Sequence, residues 1–497
     1  MFGPTFRRSL LLFCALVGNA SCEALFGGLS QDNPESCVAN AALCRSPEEI
    51  CNAATRSCEP ALRIDSISPA AAPFDTELKV TLTGKNFVPN LALSIAGVPA
   101  KDVTFISESQ LSAITPASHV GKHPVTLDLV APSTQRYQRE GLFHYFPWPT
   151  FATPTTTVSP GTFKVLRSAD FDRDGRPDVA MAADNTSPVA IFLGQADGSL
   201  LPAGKVSFAS RPFGMALGDV NADGKIDLAI SETGPQALIE VALGNGDGTF
   251  AVVGSVNTST TVGGLVLIDA NGDSKADLVV ADGLNLVVHP SVGDGTFGSP
   301  VKLPHTFQTM DSGSSLVAGD LNGDGRADVV ALNGKESRFP IYLSKGDGSF
   351  SEAKPVTFTS VLSLPVLADV NKDGRLDLAC FSRNNGQVVV FLGDGTGGFA
   401  VASVTSAVMA TDSIGVGDLN GDGTVDLVTV ETNMLAETFT VLAGTGTGQF
   451  QRSEPYQIGP SALAAALYVG DLTADGKLDV LIGQRTGKLS LFKNVTP

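Results

Sequence analysis

Asp320-Leu-Asn322-Gly-Asp324-Gly325-Arg-Ala-Asp328, running straight into Val329-Val-Ala-Leu332, is the stretch that decides how this chain is built. Carboxylate or amide oxygens stand at positions 1, 3, 5 and 9, and a glycine free to turn stands at position 6. A hard cation of calcium size asks for six to eight oxygens at about 2.3–2.6 Å, delivered by a short tight loop. The same loop is written seven times, beginning at Asp170, Asp219, Asp269, Asp320, Asp369, Asp418 and Asp471, at intervals of 49 to 53 residues. A fixed period of that length marks a repeat architecture and falls in the range of propeller blades.

Outward from the loop, each repeat reads as four strands. An apolar run such as Gly264–Ile268 enters the loop, and a second run such as Leu278–Ala281 leaves it. A third, such as Pro340–Leu343, leads into a Gly-Asp-Gly turn. The fourth is expected to start at Leu200, Phe250, Phe297, Phe350, Phe399 or Phe450. Near-continuous apolar runs fit inner strands buried on both faces by neighbouring blades. The seventh repeat stops at Pro497 without a fourth strand, and Phe151–Ser159 offers one, so the ring is expected to close by that segment joining the last blade. An EF-hand is disfavoured, because strands rather than helices flank the loops and no Glu stands at position 12.

Residues 148–497 resemble the FG-GAP/VCBS repeats of integrin alpha-chain propellers and of many exported bacterial proteins, through all seven loops in phase. The resemblance implies an all-β fold with a seven-bladed β-propeller, and up to seven structural calcium ions. Carried over, the first site would use Asp170, Asp172, Asp174, the carbonyl of Arg176, and Asp178. The second would use Asp219, Asn221, Asp223 and Asp227, the third Asp269, Asn271, Asp273 and Asp277, and the fourth Asp320, Asn322, Asp324 and Asp328. Asp369, Asn371, Asp373 and Asp377 would form the fifth; Asp418, Asn420, Asp422 and Asp426 the sixth; Asp471, Thr473, Asp475 and Asp479 the seventh. Ser274 replaces the turn glycine and Thr473 brings a neutral hydroxyl, so the third and seventh sites should bind most weakly. Magnesium, which demands near-octahedral geometry and keeps its waters, fits less well.

Residues 61–147 lack the loop and show short period-two strands, such as Leu78–Leu82 and Leu93–Ile95, punctuated by Gly, Pro and Asn. The opening Ser66-Ile-Ser-Pro69, the turn Gly84-Lys-Asn-Phe87 and the strand end Ile114-Thr-Pro-Ala117 resemble an IPT/TIG domain. That family implies an N-terminal Ig-like β-sandwich serving as a spacer or interaction module, and no chemistry.

The start of the chain reads as an export signal over residues 1–21: Arg7 and Arg8, an apolar run Leu10–Val17, then small residues before Cys22. It resembles a bacterial lipoprotein signal, which implies lipidation of Cys22, although Asn19 stands where Leu is usual. Simple secretion is the alternative. Cys37, Cys44, Cys51 and Cys58 recur every seven residues in the segment 22–60, too small to build a core, so a disulfide-stapled tether is expected with its connectivity open. Zinc is the weaker reading, since CxxC pairs are absent. Cys380, inside an apolar run, reads as an inert buried thiol.

The net charge of −18 excludes nucleic acid as partner, and one divalent ion per loop would bring it to about −4. No HExxH, phosphate loop, nucleophile elbow or dinucleotide fingerprint is present, and none of the five histidines has convincing metal spacing. No catalytic set is therefore expected. Strands alternate direction, so the loops away from the calcium hairpins share the opposite face. Arg211, Glu232, Arg338, Phe339, Arg383, Asn384 and Arg485 vary there from copy to copy and are the candidate ligand residues. The expectation is an exported monomer, at the cell surface or outer membrane through a lipid anchor or else secreted, that binds an extracellular protein or glycan. A polysaccharide lyase or hydrolase, or a purely structural envelope scaffold, is the alternative.

Overall fold

The computed structural model describes residues 49–52, 57–74, 76–117, 121–129, 136–158, 163–183, 188–233, 237–259, 262–306, 315–406, 411–432, 437–459 and 464–496. Every element among them is a β-strand. The chain separates into two compact units, Met1–Phe146 and Pro147–Pro497. The expected export signal, Cys22, Cys37 and Cys44 lie outside the described residues. Cys51 and Cys58 stand directly opposite one another where Glu49–Asn52 pairs antiparallel with Ser57–Pro60.

In the first unit two sheets share one core. Arg63–Ser68, Lys79–Lys85, Gln110–Ile114 and Lys101–Ser107 form one sheet; Ala71–Pro73, Arg136–Phe146, Gly121–Leu129, Leu91–Ile95 and Val98–Pro99 form the other. Period-two alternation sends Val80, Leu82 and Gly84 inward from one strand and Leu91, Leu93 and Ile95 inward from another. They meet Ile64, Phe87, Phe143 and Tyr145, all fully buried. Tyr145 keeps its hydroxyl satisfied by donating to the carbonyl of Pro116.

The second unit holds seven four-stranded antiparallel blades, the sixth with a fifth short strand. Their inner strands are Phe163–Ala169, Arg211–Gly218, Leu265–Ile268, Ser315–Gly319, Leu362–Ala368, Thr411–Gly417 and Ala464–Gly470. Each contacts the next, and the last contacts the first, so the blades stand in a closed ring. The second strands begin at Asp178, Asp227, Asp277, Asp328, Asp377, Asp426 and Asp479, the ninth loop position in every blade. Asp328–Leu332 and Asp377–Ser382 are buried along their whole length, as an unbroken apolar run wedged between blades requires. Seven apolar clusters fill the seven gaps between consecutive blades. The closing one joins Leu166, Val179 and Met181 of the first blade to Ala466, Leu481 and Leu491 of the last.

Thr155–Val158 supplies the outer strand of the seventh blade, pairing antiparallel with Lys488–Phe492 from Thr155 opposite Leu491 to Val158 opposite Lys488. Phe151 bridges Asn494, and Val495 donates to the carbonyl of Thr150 at 2.8 Å. The two ends of the unit are thus sewn into one sheet, leaving that blade no unpaired edge on Lys488–Phe492. The third blade departs from the expected register. Phe297 makes only an isolated bridge with Ser291, and the outer strand begins at Val301. Pro300, which has no N–H to give a ladder, stands immediately before that start.

Candidate functional site

The ninth-position aspartates head the buried second strands, and all seven are at most 1% exposed. Each carboxylate is divided between two backbone donors. One oxygen, Oδ2, accepts the N–H of loop position 2: Phe171, Val220, Ala270, Leu321, Val370, Leu419 or Leu472, at 2.7–3.1 Å. The other, Oδ1, accepts at 2.8 Å the N–H at the end of the third strand, from Gly194, Gly244, Ser291, Ser344, Gly393, Gly444 or Asn494. The aspartate therefore ties the acidic loop to the end of the third strand inside each blade. Burial pushes its pKa up, to about 6 at Asp227 and well above the usual range at Asp426, while the two backbone donors pull it back.

Position 2 also faces the next blade. Its N–H serves its own aspartate, and in four of the seven loops its carbonyl accepts from the following blade's turn. Gly248 donates to Phe171 at 3.1 Å, Ser291 Oγ to Val220 at 2.6 Å, Gly348 to Ala270 at 2.9 Å, and Asn494 Nδ2 to Leu419 at 2.7 Å. One residue, through its two flanking peptide groups, thus couples two blades in those four loops.

The sequence reading placed position 9 in the metal shell with positions 1, 3 and 5. In the first loop the group that gathers is Asp170, Asp172 and Asp174, with ligand oxygens within 4.8 Å of one another. Asp178 lies outside that group and has each oxygen accepting a backbone N–H, at 2.7 Å from Phe171 and 2.8 Å from Gly194. The other loops carry an amide at position 3, or a hydroxyl in the seventh, in the same place. Within every loop the N–H groups of positions 5 and 6 donate to the carboxylate of position 1, as Asp324 and Gly325 do to Asp320 at 3.1 and 2.8 Å. Two residues, not one, turn left-handed. Position 6 has φ of 66–87°, including Ser274 at 66°, and position 4 has φ of 55–79°, at Arg173, Ala222, Gly272, Gly323, Lys372, Gly421 and Ala474. Only the position-6 requirement was legible, because glycine recurs there and varies at position 4.

A cation at position 7 covers the outer oxygen of position 5 in the first five loops: Arg176 on Asp174, Lys225 on Asp223, Lys275 on Asp273, Arg326 on Asp324 and Arg375 on Asp373. The sixth loop has Thr424 there instead. Asp422 Oδ2 and Asn420 Nδ2 are buried and without a partner, as is Thr473 Oγ1 in the seventh loop. A carboxylate oxygen left dry and unpaired costs several kcal/mol on the order of a lost charge-assisted bond, and a hard cation is the group that such an oxygen suits. The donor set of the sixth loop fits calcium on this ground: Asp418, Asn420 and Asp422 would hold it.

The opposite face contains less than expected. Phe339 is a core residue, 2% exposed, edge-to-face with Phe391 at 5.6 Å between ring centroids in the gap between the fourth and fifth blades. It follows Arg338 on a two-residue strand whose alternation turns one side chain out and the next in. Arg338 itself is half-buried and paired with Glu352 at 3.3 Å. Glu232 is also buried. It accepts the N–H of Ser210 at 3.0 Å and lies against Glu240, which accepts from Ala209 at 2.6 Å. Burial, then the Glu240 carboxyl, push Glu232 up to about 7. Arg211, Arg383, Asn384 and Arg485 remain exposed, on the second, fifth and seventh blades. Arg383 Nε donates to Ser363 Oγ at 3.1 Å.

This geometry agrees with the family comparison. The FG-GAP-like repeat model matches residues 170–230, 219–280, 269–331, 320–380, 369–429 and 432–482, and the IPT/TIG domain model matches 62–145. The chain belongs to the FG-GAP-like repeat family, with an IPT/TIG domain ahead of the repeats. No curated protein matches it. Among solved structures it is similar to BBS1N in complex with ARL6DN, at 12% identity over 69% of this chain and 96% of that one, with a TM-score of 0.48. It is similar to an Agrocybe aegerita lectin that recognises non-reducing terminal N-acetylglucosamine, at 16% identity over 81% and 98%, TM-score 0.46. An auxiliary nutrient binding protein from Bacteroides ovatus follows at 12% identity over 88% and 98%, TM-score 0.40. Likenesses this distant carry no ligand across.

Two outcomes follow from the loop and the carboxyl pair. Ser274→Gly removes the side-chain penalty of a left-handed residue and should stabilise the protein by about 1 kcal/mol, net of glycine's extra chain entropy, in urea melts. Glu232 has a folded pKa near 7, above its ordinary 4.5, so its contribution is full below about pH 4.5 and is lost as pH rises through about 7. Glu232→Gln should therefore raise the melting temperature at pH 8 relative to the native protein and leave the difference smaller or reversed at pH 5.

Proposed function

We propose that this chain is an exported, calcium-stabilised, non-catalytic binding protein whose propeller presents its ligand surface on the face away from the acidic loops. The observation that carries the metal half is the sixth loop, where Asp422 Oδ2 lies buried with no partner. The loops are tight hairpins whose own residues supply most of the oxygens, leaving little room for a substrate, so the ion acts as a clamp on the hairpin. Bound calcium would contribute about 2.7 kcal/mol when it stands 100-fold above its Kd. Thr424 at position 7 leaves Asp422 without the ion pair that covers position 5 in the first five loops, Lys372 acting on it only through its charge, so that site should bind tightest.

The binding half rests on the exposed, differing residues Arg211, Arg383, Asn384 and Arg485. Guanidinium and amide groups donate in the planar, forked geometry that carboxylates and sugar hydroxyls accept. A partner outside the cell, a glycan or a protein, fits an export signal with a tether of cysteines, and a lipid on Cys22 would hold the chain at a membrane surface. As a monomer it would offer one such face per chain.

The test passes the full chain, with calcium and then with EDTA, over immobilised polysaccharides and envelope proteins while released sugar is assayed. Calcium-dependent retention, cut tenfold or more by the combined variant R211A/R383A/R485A, is the expected result. Retention unchanged in that variant would remove the ligand face, and released sugar would replace the reading with an enzyme. In calcium titration calorimetry Asp422→Asn should abolish the tightest class of sites; an unaltered isotherm would remove the metal assignment.

A further inference from the structure

The seven inner strands surround an axial cavity of about 530 Å³. The side chains in its wall are mostly apolar, from Met215, Leu265, Val317 and Ile414 among others, with hydroxyls from Ser315 and Ser413, and polar groups make up about half of the surface the wall exposes. One charge stands in it. Arg167 is the third residue before the first acidic loop, and the same register position in the other six blades holds Ala216, Val266, Val317, Val366, Gly415 and Tyr468. Six blades therefore build the ring without a charge at this level, and the guanidinium is not a requirement of blade packing.

The Arg167 side chain is encircled by protein yet exposed to the cavity. Its single hydrogen bond among the described residues is from Nη1 to the carbonyl of Leu166, its own neighbour, at 2.9 Å. Among the described residues no carboxylate pairs with it, in a chain with 51 acidic residues. Burial accordingly pulls its pKa below the ordinary value, with no acid to hold it up. A guanidinium offers five donors in a fork that matches an oxyanion on two points at once. On the opposite side of the cavity wall Leu364 is held left-handed, at φ 54°, where the inner strand of the fifth blade shifts register between Ser363 and Val366. A bulky residue in that conformation costs of order 1–3 kcal/mol and persists where the surroundings impose it.

We propose that the axial cavity is a binding site for a small carboxylate with an apolar body, its head group paired with Arg167 and its body lying against the inner-strand aliphatic side chains. The volume is in the range of small-molecule sites, and the wall sets aliphatic side chains beside a placed guanidinium and two hydroxyls. The site is separate from the exposed face described above and does not depend on it.

Octanoate serves as the probe, titrated calorimetrically into the full chain in calcium buffer. Octan-1-ol tests the apolar body alone, and inorganic phosphate at matched ionic strength tests the charge alone. Octanoate should bind once per chain and more tightly than either, with affinity lowered tenfold or more in Arg167→Gln and partly kept in Arg167→Lys. Equal octanoate affinity in Arg167→Gln, no octanoate binding up to millimolar concentration, or binding of octan-1-ol as tight as octanoate would each overturn the proposal. A second readout needs no ligand. Arg167→Leu removes an unpaired charge and should melt at or above the native temperature, with octanoate raising only the native protein's melt. A lower melt or failure to fold would make the guanidinium a structural prop and overturn the site.

Discussion

A buried aspartate that spends both its oxygens on backbone N–H groups is the constraint on which the propeller depends. It recurs in all seven blades with Oδ1 at 2.8 Å from the N–H at the end of the third strand. Ordinary sheet ladders cannot satisfy these groups, because both lie where strands end and the chain turns. The carboxylate is expensive to bury, and its two donors make the burial tolerable while fixing the acidic loop against the end of the third strand. Because loop position 2 in four of the seven loops also accepts from the following blade, the constraint there reaches from within a blade to the joint between blades.

Above that staple, towards solvent, lies a second and separable set of oxygens at positions 1, 3 and 5. Two left-handed residues fold the loop so that those oxygens face one another, and five of the loops carry a cation that covers part of the set. The acidity of the chain is thus divided. One aspartate per loop is a piece of the fold, and the remainder is available to an ion. Calcium, bound as proposed, would tighten a ring already held together by the staples, by Thr155–Val158 in the last sheet, and by seven apolar seams.

Much of this was legible in the residues. Seven copies in phase expose the blade count, and the missing last strand together with a spare first one predicts closure; both depend on counting strands, which apolar patterning does well. What stayed hidden depends on direction and depth. Phe339 reads as a loop aromatic beside an arginine, yet a two-residue strand turns it inward to Phe391. Phe297 matches its counterparts in the other blades, but Pro300 delays the strand to Val301. Asp328 and its equivalents read in the sequence as one more metal ligand in each loop, and their second role as acceptors for two backbone N–H groups was not legible. Their position at the head of an unbroken apolar run was the available sign that they are buried. The axial Arg167 gave a sign too, as the one charged residue in a column of Ala, Val, Gly and Tyr.

The separation of staple from ion site is most directly measured by comparing Asp328→Ala with Asp324→Ala in chemical melts, each with excess EDTA and with calcium. In EDTA, Asp328→Ala should lose about 2–5 kcal/mol, since two buried N–H groups are left without an acceptor. Asp324→Ala should there stay within about 0.5 kcal/mol of the native protein and fall behind it only when calcium is added. If Asp328→Ala instead melts like the native protein in EDTA and loses stability only with calcium, the ninth-position aspartate is a metal ligand first, and this account of the fold is wrong.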